Sequence, residues 1–267
     1  MTEIINTIDE ISDFLDSLHV EHVIENHWLI CTKEAFAIHI IILQSNENQL
    51  DAISRRSKIL EKRNEVKSIE LWEDIWRCQQ YKVKELIKAK LGFVHVIQAS
   101  ETSVANVDKN TANDFLNKYH LKGETNSEVR LGIIYKHTLI GLATFSGKLY
   151  MKNEPNPYTS YELIRFCFES GIFVVGGFAK LLHHFYTKFQ PGGIMTYADV
   201  ELSDGEMYTK NGFIFKEFTT PIEFLVSKKD LKRTYLKNMT NRENVNLEED
   251  YYKICNLGNY KFIKRYV

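Results

Sequence analysis

Val174-Val175-Gly176-Gly177-Phe178-Ala179-Lys180 is the stretch on which the fold turns. A β-branched pair runs into two glycines, and Leu181, Leu182, Phe185 and Tyr186 then recur at helical spacing. Small residues between a strand and a helix let backbone N–H groups approach a phosphate. The helix N-terminus adds partial positive charge there. A glycine pair in this position also serves as a plain turn.

Outward from this stretch, residues 93–226 alternate between strand and helix patterns. A helix is expected at Thr111–Tyr119, then strands at Arg130–Tyr135 and Leu139–Ser146 across a short turn, and a strand at Glu162–Phe168. Beyond the glycine stretch come a strand at Gly193–Asp199, a helix around Gly205–Asn211, and strands at Phe213–Phe218 and Ile222–Val226. Residues 1–92 read as helix, two strands, helix, strand, helix. Ile4, Ile5, Ile8, Ile11, Phe14, Leu15 and Leu18 open the segment at helical spacing, and strands are expected at Glu21–Ile30 and Ala35–Leu43. A basic helix over 49–64 carries Arg55, Arg56, Lys58, Lys62 and Arg63, and a helix over 79–91 ends at Gly92. Residues 227–267 form a basic C-terminal extension with two aromatic-rich runs.

The 267 residues are 44% hydrophobic and 26% charged, with 13 Gly and 4 Pro, which excludes a disordered or fibrous chain. Cys31, Cys78, Cys167 and Cys255 are scattered, so neither a disulfide framework nor a cysteine zinc site is expected, and a cytoplasmic setting fits. No apolar run is long enough for a membrane span, and no membrane partner is expected. The net charge of −1 divides into −4 for residues 1–92, −2 for 93–225 and +5 for 226–267. A basic tail can meet a phosphate backbone, or it can simply be a solvated surface.

The glycine stretch together with Met207-Tyr208-Thr209-Lys210-Asn211-Gly212-Phe213 resembles the Gcn5-related N-acetyltransferase (GNAT) superfamily. The resemblance implies an acyl-CoA donor, acetyl-CoA or another, whose pyrophosphate lies on Gly176, Gly177, Ala179 and Lys180. It implies that Tyr208 protonates the leaving thiolate; the alternative for Tyr208 is packing. The family's Gln or Arg before the glycines falls on Val174, a departure that puts tight CoA binding in doubt.

Glu162-Leu163-Ile164-Arg165-Phe166 with Tyr197-Ala198-Asp199 resembles the Mom-type branch, which modifies adenine in DNA. Phe115-Leu116 through His120-Leu121-Lys122-Gly123, and Leu131-Gly132-Ile133-Ile134-Tyr135, resemble the acyltransferase-like half of phage and bacterial homing-endonuclease-like proteins. His120, Arg165 and Asp199 are the polar members of these motifs and are expected on the acceptor side. His120 can act as a base or cap its helix, and Arg165 can grip an anion or pair with Asp199.

In the same proteins the N-terminal half resembles very-short-patch-repair and other PD-(D/E)xK nucleases, and Glu70-Leu71-Trp72-Glu73-Asp74-Ile75-Trp76 carries that likeness. His27 and His39 stand where that family places its metal-binding acids, so a degenerate module without metal is expected.

The expected fold is α/β or α+β: a degenerate restriction-endonuclease-like module over 1–92, a GNAT-like mixed-sheet domain over 93–226 and the extension over 227–267. The expected function is acyl transfer to a nucleic acid or a nucleic-acid-associated acceptor, with DNA contacted through helix 55–63 and the tail. The alternative is a catalytically inactive DNA-binding accessory protein.

Overall fold

The computed structural model describes residues 6–44, 46–152, 157–239 and 247–266. Ile4 and Ile5 lie outside them. The mixed α/β class expected from the sequence is what the described residues form, in four sheets. It divides into two compact units built from non-contiguous segments. The first takes Met1–Gln80, Ala198–Gly205 and Phe218–Tyr260; the second takes Tyr81–Tyr197, Glu206–Glu217 and Lys261–Val267.

The chain begins with α1 (Thr7–Ser17), capped by the Asn6 side chain, which accepts from the N–H groups of Ile8 and Asp9. Then come β1 (His22–Glu25), β2 (Trp28–Cys31), β3 (Phe36–Ile41), α2 (Gln49–Arg63), β4 (Lys67–Trp72) and α3 (Glu73–Lys90). The four strands form one sheet in the order β1-β2-β3-β4, with only the last pair parallel. The stretch expected as one strand over 21–30 is a hairpin. Asn26 and His27 both take positive φ, at 47° and 67°, the pair of left-handed residues that a tight two-residue turn requires. His27 is therefore in a turn and not on a strand beside His39.

Three of the five cations of the expected basic helix point into the first unit. The Arg55 guanidinium reaches Glu47, Glu70 (2.7 Å) and the Cys255 carbonyl (2.8 Å), and stacks over Trp72. Arg56 donates to the carbonyls of Thr219 and Leu257. Arg63 donates to the carbonyls of Ser68, Val200, Ser203 and Glu201 and to the Tyr260 hydroxyl. A guanidinium satisfies several loop carbonyls at once, because its five donors are fixed in a fork. These arginines hold the distant segments 198–205 and 218–260 onto α2.

Beneath them Glu201 is buried, and its Oε1 accepts from the Trp72 indole (2.9 Å) and the Leu257 N–H (3.2 Å). Burial, with the Asp199 and Glu70 carboxylates close by, pushes the Glu201 carboxyl up to about 8. A carboxyl that is harder to ionise in the fold than in the open chain stabilises fully below its ordinary value of 4.5, and that contribution is lost as pH rises through about 8. The melting temperature should fall between pH 5 and 8, and Glu201→Gln should flatten the slope. The amide oxygen still accepts both bonds, so the variant should fold. Parallel melting curves for the two proteins across that range would count against a neutral Glu201.

The second unit opens with β5 (His95–Gln98), β6 (Ser103–Asn106), α4 (Lys109–Tyr119), β7 (Val129–Tyr135), β8 (Thr138–Phe145), β9 (Leu149–Met151), β10 (Tyr158–Phe168), β11 (Ile172–Val175) and α5 (Gly177–Phe189). After these come β12 (Gly193–Asp199), α6 (Glu206–Lys210) and β13 (Ile214–Phe218). The chain then gives the first unit β14 (Glu223–Ser227), β15 (Arg233–Tyr235), α7 (Leu247–Asp250) and β16 (Tyr251–Cys255), and ends in β17 (Asn259–Arg265).

The main sheet runs β13-β17-β12-β10-β8-β7-β6, with β9 paired to β10. The aromatic runs of the expected extension are thus strands, because Tyr260 and Phe262 alternate with polar residues and are buried. Cations of this segment are paired within the units: Arg233 with Asp74, Lys253 with Glu223 and Lys261 with Glu217. On one face of the sheet α5 packs through Phe185, stacked on Phe145 and edge-on to Tyr161. On the other, Ala112, Phe115 and Leu116 of α4 close over Leu142 and Cys167.

Candidate functional site

Two strands part company in the second unit. Strand β10 runs parallel to β12 only from Ser160 opposite Gly193 to Leu163 opposite Thr196, although both strands continue. At the same point the pairing of β10 with β8 slips between Leu163 and Arg165, a β-bulge that leaves Ile164 unpaired. A fork between parallel strands, at their carboxyl ends, is where an open α/β sheet offers a crevice to a ligand.

The glycine turn follows from β11, which pairs in parallel with β5. Gly176 caps α5 with φ +76°, a conformation that L side chains rarely adopt. At Gly177 an added Cβ would lie 2.9 Å from the Val174 Cβ and 3.0 Å from Ile133, so only glycine fits without displacing the packing. Val174, in the position of the family's polar residue, is buried and forms part of that packing. The first intrahelical bond is donated by Lys180 N to Gly176 O. The amides of Gly177, Phe178 and Ala179 precede it and have no partner within the helix, and a glycine cap has no side chain to offer them. Gly176 and Ala179 are exposed. Lys180 points elsewhere: its ammonium donates to the Ala99 carbonyl (2.6 Å), to the Thr102 carbonyl and to the Thr102 hydroxyl, pinning the turn at 99–102 beside the glycines.

Tyr208, on α6, is half-buried among rings. It lies 5.8 Å from Phe178 of the first turn of α5, 5.7 Å from Phe213 and 5.3 Å from Phe262. Its hydroxyl is hydrogen-bonded to Thr196, and burial pushes the phenol above its usual range. Thr196 donates its own proton to Leu163 O at 2.9 Å, so the phenol is the donor to Thr196. Tyr208, Thr196 and Leu163 thus form a chain of hydrogen bonds across the fork.

His120 ends α4, and its ring Nδ1 accepts from Lys122 N at 3.1 Å. Burial, and then Arg165, Lys122 and Lys82, push its pKa down to about 3. At neutral pH the ring is uncharged and a weak base, with its proton on Nε2. Arg165, just past the bulge, donates from Nη1 to Ile164 O at 3.0 Å. Asp199 belongs to the first unit, where its carboxylate accepts from Glu201 N at 3.1 Å.

Glu162, in the same sequence motif as Arg165, stands beside the fork. Burial raises its carboxyl above the ordinary value, and Arg165 partly opposes this. Its signal in the sequence is an acid within an apolar strand; what the sequence conceals is the bulge. The rings of Tyr161 and Phe166 both meet α5, so the odd-numbered parity before the bulge becomes even after it. Glu162 and Arg165 therefore share the α4 face, with Cys167 beyond them.

Solved acetyltransferases align with part of this chain. Over 62% of this chain and 99% of that one, Naa50 from Arabidopsis thaliana aligns at 14% identity with a TM-score of 0.38. A GNAT family acetyltransferase from Elizabethkingia anophelis, solved with acetyl-CoA bound, covers 62% of this chain and 99% of its own at 10% identity and TM-score 0.34. Spermidine N-acetyltransferase from Vibrio cholerae covers 62% and 94% at 14% identity and TM-score 0.36. No family model and no curated protein matches the sequence. Among the described residues, no cluster of three or more His, Cys, Asp or Glu side chains could hold a metal ion, and no helix is long and apolar enough to cross a membrane.

Proposed function

We propose that the second unit is a GNAT-like acyltransferase that takes its acyl group from acetyl-CoA or another acyl-CoA and transfers it to an amine. The observation that carries this reading is the coincidence at one place of a strand fork, a bulge and the Tyr208–Thr196–Leu163 chain, with Phe178 leading from Tyr208 to a glycine-capped helix N-terminus. The helix end suits a pyrophosphate, because uncapped amides and the helix dipole both favour an anion. When bound, the thioester supplies an activated acyl carbon.

Glu162 takes the proton from the amine as the N–C bond forms. A carboxyl raised by burial is a better base for that purpose than an exposed one. Tyr208 gives its proton to the departing sulfur as the C–S bond breaks. A phenol kept protonated by burial holds that proton at neutral pH, and its O–H turns from Thr196 to deliver it.

The test is calorimetric titration of the full chain with acetyl-CoA. Micromolar binding supports the reading. No heat with acetyl-CoA or free CoA, in a sample shown to be folded, overturns it and leaves the accessory-protein alternative. Tyr208→Phe should lower turnover at least about tenfold with little change in donor affinity. The Thr196 proton stays on Leu163, so the substitution leaves no orphaned group at the fork. Unchanged single-turnover rates would remove Tyr208 from the reaction.

A further inference from the structure

Two carboxylates stand in register on the α4 face of the second unit, one on each side of Ser146. Val129 and Leu163 both pair with Phe145, whose ring stacks on Phe185 of α5. One step beyond these pairs, Glu128, Ser146 and Glu162 therefore form a row on the opposite face. Backbone bonds hold the row: Glu128 N donates to Phe145 O at 3.0 Å, Ser146 N to Glu162 O at 2.9 Å, and Glu162 N to Ser146 Oγ at 2.9 Å. The two acids are separated by two strand spacings, so their backbones lie about 10 Å apart.

Glu128 is exposed and Glu162 half-buried, and neither carboxylate has a hydrogen-bond or ion-pair partner among the described residues. Arg130, two positions after Glu128 and on the same face, donates instead to the carbonyls of Val107 (3.1 Å) and Ser127. The Glu128 carboxylate lies against Gly147, where a Cβ would meet its Cδ at 2.6 Å and its Oε2 at 2.8 Å. The glycine thus lets the acid sit close to the Ser146 end of β8. One pair inward on the same face, Thr144 stands opposite Arg165; it is fully buried, and its hydroxyl has no partner among the described residues. Such a hydroxyl is costly, and an N–H donor entering at Glu162 would satisfy it. What this row lacks is donors, and what it offers is acceptors.

We propose that the acceptor is an aliphatic diamine, met by Glu162 at the nitrogen that reacts and by Glu128 at the other, which stays an ammonium. Two charge-assisted hydrogen bonds of about 2.8 Å take up more than half of the span between the acids, and a few methylenes crossing Ser146 bridge the rest. Glu128 sets the choice of acceptor and takes no part in proton transfer. The diamine assignment rests on the acyltransferase reading of the same site.

The experiment is acetylation by the full chain, with acetyl-CoA at constant ionic strength, of 1,4-diaminobutane and of butylamine, which has the same chain and one nitrogen. The readout is the ratio of kcat/KM for the diamine to kcat/KM for butylamine. Differences in basicity, and the diamine's second reactive nitrogen, cancel when this ratio is compared between variants. Glu128→Gln should lower it about fivefold, the effect of one exposed ion pair, and an exposed residue so replaced should leave the fold intact. Glu124→Gln is the control. Glu124 is also exposed, and an amide oxygen there still accepts from Asn117, so the substitution removes an equal charge four residues away without touching the row. It should leave the ratio as it is.

Transfer to the diamine alone would itself support the assignment. An unaltered ratio in Glu128→Gln, or an equal fall in Glu124→Gln, discards the diamine while the acyltransferase reading stands. Acetylation of neither amine by a folded chain that binds acetyl-CoA discards both.

Discussion

Replacing Ala179 with glutamate should weaken acetyl-CoA binding at least about a hundredfold, roughly 3 kcal/mol, without unfolding the protein. Ala179 is the third residue of α5 and is exposed. A carboxylate there can fold back onto the amide of the cap residue, Gly176, and its charge is favourable at a helix start, by about 0.3–1 kcal/mol. The variant should melt at or slightly above the parent temperature. For the same reason it sets a negative charge beside the amides that a pyrophosphate needs and repels that anion. Gly177 is a poorer probe, since a Cβ there meets Val174 at 2.9 Å and would perturb packing before it perturbed binding. Equal dissociation constants for parent and Ala179→Glu would place the donor's phosphates elsewhere.

The parts of this site that the sequence reveals are those with short-range causes. Gly176 marks the turn through its positive φ and Gly177 because a Cβ there has no room, and the helix after them follows from the spacing of Leu181, Leu182 and Phe185. The fork and the bulge leave no such mark. Leu163, Ile164 and Arg165 read as an unbroken strand, and only the register against β8 shows that one of them is extra. Hence the sequence points to Arg165 but neither to Glu162 nor to the face that the two share. Lys180 follows a glycine turn, as a phosphate-binding lysine would, yet its partners are carbonyls 78 and 81 positions earlier in the chain. Asp199 closes a strand in the sequence, and its hydrogen bond belongs to the turn after it, in the first unit. The likeness of residues 1–92 to a nuclease is carried by Glu70–Trp76, and in the structure Glu70 meets His39, one of the histidines standing at that family's acid positions, at 3.0 Å.

The basic helix is the clearest case of a pattern whose meaning lies far away in the chain, and Arg63 tests it. Arg63→Met should destabilise the first unit by about 3 kcal/mol. The guanidinium serves Val200 O at 2.7 Å, Ser203 O at 2.9 Å, the Tyr260 hydroxyl at 3.0 Å and Ser68 O at 3.1 Å. These acceptors come from three separate stretches of sequence, so losing the fork loosens the attachment of 198–205 to α2 and β4. Methionine keeps most of the volume and supplies no donor, which confines the effect to the lost hydrogen bonds. Lysine keeps the charge but can satisfy fewer of the carbonyls, because its three donors radiate from one point, and Arg63→Lys should fall between the parent and Arg63→Met. A solvated, DNA-facing arginine would behave differently: both substitutions would leave denaturant midpoints within about 0.5 kcal/mol of the parent. That outcome would return Arg63 to the surface.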